Sequence, residues 1–237
     1  LSALSLVRIS RMRGTMVEFD GNGQTFAGYL VHPEAGAGPA VILLQEWWGL
    51  VGHIKEVADR LAGEGFTVLA PDLWHGKQTT EPDQAAEMFM ALNIAEFDKV
   101  VKGAADYLDT VGKPGPLGVV GFCMGGQLAM YAACQDDRFG ACVNFYGVHP
   151  HVKPDFANMA CPVLGLFGEN DPYTTPEAVR AMGEALTAED VDHTFVTYPG
   201  ADHAFFNDGR PEVYHAVFAA DAWERTVRFL NDCLVDE

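Results

Sequence analysis

The stretch "VVGFCMGGQLAM" (Val119–Met130) places Cys123 between two glycine-bearing steps, after an apolar run and before a helix-like one. Within it, Gly121-Phe122-Cys123-Met124-Gly125 has the form G-x-C-x-G at a strand-to-helix junction. That is the pattern of a nucleophile elbow, with sulfur in place of the usual serine oxygen. A strained turn with backbone passing close by needs glycine on both sides. A cysteine there sits at a helix N-terminus, where the dipole favours a thiolate. The next N–H, that of Met124, would point into the site as an oxyanion donor. The competing reading is a small buried thiol in a Gly-rich turn, and the motif alone leaves both open.

Outward from the elbow, short β-rich runs alternate with amphipathic ones. "FAGYLVHP" (Phe26–Pro33), "AVILLQE" (Ala40–Glu46), "FTVLAPD" (Phe66–Asp72), "LGVVGF", "ACVNFYG", "CPVLGLFGEND" and "DHTFVTYPG" read as strands. Helical spacing covers "HIKEVADRLAGEG", roughly Gln84–Leu92 and Phe97–Leu108, "GGQLAMYAACQ", "PEAVRAMGEALTAE" and a last helix with Val217, Ala220, Val227 and Leu230 on one face. Continuous apolar strands between such helices predict an α/β fold, a mostly parallel central sheet with helices on both faces. Ligands of these sheets bind beyond the carboxyl ends of the strands. One domain is expected over residues 14–237, after an N-terminal extension at residues 1–13 expected to be disordered. The opening "LSALSLVRISRMRG" has its basic residues after its apolar piece, unlike a secretory signal, so a start at Met12 or Met16 is expected.

The charge balance is 15 Lys and Arg against 33 Asp and Glu, a net −18 that argues against nucleic acid as a partner. No apolar run approaches the roughly 18 residues that span a membrane. A cytoplasmic protein, monomeric or a small homo-oligomer, is expected. Five cysteines without a C-x-x-C pair match neither a disulfide framework nor a zinc site.

A nucleophile needs a base, and the base an orienting acid. In α/β-hydrolases they follow in chain order as nucleophile, acid, histidine. Asp171 ends "VLGLFGEND" ahead of Pro172, and His203 lies in "YPGADHAFF" after the next strand; both fall at carboxyl ends of strands, as Cys123 does. Asp171 is preferred to Glu169 because it lies further past the buried strand; Asp202 also flanks the site. Of the other histidines, His193 precedes its strand and belongs at the opposite edge. His149 and His151 form an H-x-H pair expected to face solvent rather than a metal. His53 and His75 follow central strands and are candidates for the pocket, while His32 and His215 have no evident role.

With "QEWWG", "APDLWHGK", "GFCMGG", "GENDP" and "GADHAFF" in this order, the chain resembles the dienelactone hydrolase family, a cysteine branch of the α/β-hydrolase fold, from about Gly14 to Leu230. The resemblance implies a triad of Cys123, His203 and Asp171. It implies that Glu46 contacts the resting thiol and takes part in its activation, and that Trp47 supplies a second oxyanion N–H beside Met124. The expected reaction is hydrolysis of a small ester or lactone through an acyl-cysteine, with no metal and no cofactor. The alternatives are a carboxylesterase or thioesterase acting on a neutral acyl group, and a non-catalytic ligand-binding protein on the same fold. Relatives that act on dienelactone clamp its carboxylate with two arginines. Here Asn207 stands at one of those positions, and residues 75–100 contain no arginine. Lys77 and Arg210 are the candidate substitutes; with Asn207, Tyr146 and Phe205 they are the candidate substrate-binding residues, and Trp47, Trp48, Trp74 and Phe206 are also expected near the pocket.

Overall fold

A computed structural model describes residues 13–235; the expected N-terminal extension, apart from Arg13, lies outside the described residues. Eight strands form one sheet in the order β1-β2-β4-β3-β5-β6-β7-β8. The strands are β1 Thr15–Gly21, β2 Gln24–Val31, β3 Ala40–Leu44, β4 Thr67–Pro71, β5 Leu117–Phe122, β6 Phe139–Phe145, β7 Val163–Gly168 and β8 His193–Tyr198. β3 to β8 pair in parallel, and β1 and β2 add an antiparallel edge beside β4. Every residue of β3, β4, β5 and β7 is buried, which is why these runs are apolar without alternation.

Among the described residues, six α-helices complete the fold: α1 Gly52–Gly63, α2 Pro82–Met90, α3 Ile94–Val111, α4 Met124–Ala133, α5 Pro176–Ala188 and α6 Ala216–Leu234. Arg60 of α1 stacks on Trp223 of α6 at 4.1 Å, and Phe97 of α3 meets Tyr131 of α4 at 6.1 Å, joining the helices in pairs across the two faces of the sheet. α2 stands apart, with Ala85 its one buried residue.

Two features depart from the sequence pattern. β1 was not expected; it joins β2 through the two-residue turn Asn22-Gly23, whose φ values of 55° and 76° are those a type I′ hairpin requires. The buried stripe of α6 is Ala219, Ala222, Thr226, Leu230 and Leu234; of the expected Val217, Ala220, Val227 and Leu230, Leu230 alone belongs to it. Val217 is 70% exposed. The alanines bring the helix close to the sheet, and the Thr226 hydroxyl is satisfied by the Ala222 carbonyl at 2.8 Å, so a polar residue occupies the inner face at little cost.

Candidate active site

Cys123 links β5 to α4 with φ 54° and ψ −121°, a conformation that costs a non-glycine residue about 1–3 kcal/mol. The surrounding backbone holds it there. The Cys123 N–H donates to the Phe145 carbonyl at 2.9 Å, and the Cys123 carbonyl accepts from Gly126 at 2.9 Å and Val148 at 3.2 Å. A Cβ on Gly121 would strike the Gly125 carbonyl, and one on Gly125 would strike the carbonyls of Leu44 and Gln45. The glycines of the elbow thus let the ends of β3 and β5 converge under the sulfur. Among the described residues, four of the six non-glycines with positive φ (His75, Cys123, Tyr146 and Ala204) follow β4, β5, β6 and β8 at this same edge.

Asp171, three residues past β7, is buried and fully engaged. Its Oδ1 accepts the Tyr173 and Thr174 N–H groups at 2.8 and 2.9 Å, and its Oδ2 meets Nδ1 of His203 at 2.6 Å. Glu169 is exposed and accepts the Gly200 N–H at 2.8 Å, so the geometry pairs His203 with Asp171 and not with Glu169. With Nδ1–H given to Asp171, Nε2 of His203 is left for the cavity. Burial disfavours the imidazolium, but attraction to Cys123 and the bond to Asp171 outweigh it and raise the His203 pKa to about 10.

Glu46 lies two residues past β3 and is only 2% exposed. A carboxylate buried this deeply needs a partner. The Nδ2 of Asn207 donates to its Oε2 at 2.8 Å, while Oδ1 of Asn207 accepts the Gly209 N–H at 3.0 Å. Those two bonds fix the amide orientation. Asn207, expected to touch substrate, instead holds Glu46.

Glu46, Cys123 and His203 line one cavity of about 560 Å³, with Trp47, Trp48, Phe89 and Tyr173 among its aromatic walls. Met124 opens α4, where first-turn N–H groups have no helical partner, and Trp47 directly follows Glu46. Arg210 lines the cavity; its Nε donates to Glu212 at 2.9 Å. Lys77 does not line it: it borders a separate cavity of about 200 Å³ beneath α2, because the loop after β4 turns away at Gly76. Phe205 and Tyr146 are fully buried behind the site; Tyr146 packs on His203 at 5.0 Å and its hydroxyl has no partner among the described residues.

The histidines divide similarly. His53 is not at the cavity but meets Asp208 at 3.1 Å behind Phe122 and Phe206. His75 is exposed beside Glu96, and His193 opens β8 at the far edge. His149, expected to face solvent, is 7% exposed and reaches the Phe89 carbonyl at 3.0 Å. Phe89, Val148 and Val213 also wall the cavity, beyond the residues the motifs point to; Pro82 and Phe89, seven residues apart on one face of α2, are the sign of it in the sequence. Among the described residues, no group of three or more His, Cys, Asp or Glu is placed to hold a metal ion, and no helix is long and apolar enough to cross a membrane.

The dienelactone hydrolase family model matches residues 26–234. The chain belongs to the dienelactone hydrolase family. "Protein usf" of Aquifex pyrophilus is 38% identical over 230 residues, covering 93% of this chain and 99% of that protein. A protein of Aquifex aeolicus (strain VF5), provisionally named a carboxymethylenebutenolidase, is 33% identical over 230 residues with the same coverage. The crystal structure of a provisionally named dienelactone hydrolase from Klebsiella pneumoniae subsp. pneumoniae MGH 78578 superposes with a TM-score of 0.78 at 29% identity, over 91% of this chain and 98% of that one. The fold is that of the α/β-hydrolases, and this member of the dienelactone hydrolase family is a hydrolase of ester or lactone bonds.

Proposed function

We propose that this dienelactone hydrolase-like protein cleaves a small ester or lactone through an acyl-cysteine on Cys123. The observation that carries the reading is the convergence of Cys123, Glu46 and the Asp171-bound His203 on one cavity. The Cys123 sulfur, its proton passed to His203, attacks the substrate carbonyl. The N–H groups of Trp47 and Met124 take the developing oxyanion. Collapse breaks the C–O bond, and the imidazolium protonates the leaving alkoxide. His203 then removes a proton from water, the resulting hydroxide attacks the thioester, and the proton returns to the departing thiolate. Asp171 keeps Nε2 turned toward the sulfur and balances the imidazolium. Glu46, tethered through Oε2, offers Oε1 to the resting thiol and takes part in its activation.

Arg210 lies among otherwise mostly apolar and aromatic walls, which favours a substrate with a carboxylate remote from the scissile bond. A neutral ester or thioester is the second reading, favoured by the Trp47, Trp48 and Phe89 surfaces. Cys123→Ala is expected to abolish turnover of small activated esters; undiminished turnover refutes the mechanism. Mass spectrometry of a rapidly quenched wild-type reaction should show the acyl adduct on Cys123. Arg210→Gln should raise KM for acidic esters and leave neutral ones nearly unchanged; equal effects on both would assign the neutral substrate.

A further inference from the structure

We propose that His149 is a positioning residue that ties the end of α2 to the loop behind the nucleophile and thereby sets which acyl groups the cavity accepts. The proposal rests on reading the cavity as an acyl site. One wall, the loop from Val148 to Val152, is anchored at both ends to the elbow. The Val148 N–H donates to the Cys123 carbonyl at 3.2 Å, and Nε2 of Gln127, in α4, donates to the Val152 carbonyl at 2.9 Å. Val148 and Pro150 of this loop face the cavity.

A second wall is α2, which presents Pro82 and Phe89 to the same space. It buries only Ala85, has no basic residue in its last turn, and borders the smaller cavity near Met88 and Trp74 on its other side. A helix with so little buried surface is held weakly by packing. His149 adds a side-chain donor at its C-terminus, beside the Leu92 N–H that the Phe89 carbonyl accepts at 3.4 Å. Nε2 lies 3.0 Å from the Phe89 carbonyl, and Nδ1 accepts the His151 N–H at 3.2 Å, so the proton must sit on Nε2. The imidazole also packs on the Phe89 ring at 4.3 Å, and the Trp47 ring meets the same phenyl edge-on at 6.2 Å. One buried side chain therefore joins a fixed post to a loosely packed wall and orients the ring that bounds the acyl space.

The test compares His149→Phe, which keeps an aromatic ring but has no donor, with His149→Gln, whose amide can place an N–H near the position of Nε2. p-Nitrophenyl esters from acetate to octanoate are the probes, and amide hydrogen exchange over residues 82–90 is the second readout. In His149→Phe, KM should change with chain length, by about fivefold where the chain reaches Phe89, the equivalent of one net hydrogen bond, and exchange in α2 should quicken. His149→Gln should restore both. An unchanged chain-length profile in His149→Phe, or an equal change in both variants, overturns the proposal. If the wild-type protein turns over none of these esters, the proposed function fails, while the exchange data still report whether the tie exists; unchanged exchange overturns it.

Discussion

Replacing Asn207 with Leu tests whether Glu46 is held as a charged group. The bond from Nδ2 to Glu46 Oε2 is 2.8 Å long and buried on both sides, with Asn207 4% and Glu46 2% exposed. Hydrogen bonds to charged groups contribute about 1.5–3 kcal/mol, and removing one partner leaves the other with its full desolvation cost. The same variant loses the bond from Gly209 to Oδ1, roughly 1 kcal/mol, which does not involve Glu46. Urea unfolding at neutral pH should therefore show a large loss in Asn207→Leu. In a Glu46→Leu background the carboxylate no longer needs its donor, and an apolar pair of similar size should be nearly neutral. The cycle of Asn207→Leu, Glu46→Leu and the double variant isolates the pair, with an expected coupling of about 1.5–3 kcal/mol. Strict additivity would mean that Asn207 stabilises its own turn and nothing else. The reading of Asn207 as the residue that holds Glu46 would then fail.

Cys123 and Asp171 together raise His203 to about 10 against the effect of burial, so NMR titration of its ring should show a lower value in Cys123→Ala than in the wild type; an unchanged value would mean the sulfur is too distant to act on it. Gly125→Ala forces a methyl against the Leu44 and Gln45 carbonyls and displaces the segment carrying Glu46 and Trp47, so kcat/KM should fall on the order of a hundredfold with the fold retained by circular dichroism. Burial, aided by the charge of His151 and opposed by the Phe89 bond, keeps His149 below its ordinary range. Above about pH 6.5 neither folded nor unfolded chain charges it; below that the unfolded chain takes up a proton the folded one resists, so stability falls with pH. His149→Phe should flatten that fall below about pH 6.5, and identical wild-type and variant curves would contradict the burial.

The parts of the site legible in the sequence are those whose chemistry is local. The elbow shows itself because Gly121 and Gly125 must lack a Cβ, and Asp171 and His203 because each follows an apolar strand at the edge where Cys123 lies. What escaped depends on contacts between distant segments. His149 looks solvent-facing on a Pro-flanked loop, and only the end of α2, sixty residues earlier, buries it. Lys77 has the right charge in the right loop, yet the turn through His75 and Gly76, both at positive φ, directs it to the other side of α2. Asn207 sits where an arginine was expected, and its use is visible only once Glu46 is seen beside it. β1 is a different case: its half-exposed face weakens the apolar signal, but Asn22-Gly23 between two β-prone runs already specified a hairpin. Cys123, Asp171 and His203 are thus each encoded within a single loop. The residues that hold Glu46 and the end of α2 are encoded in pairs, and a pair has no periodicity or spacing to read.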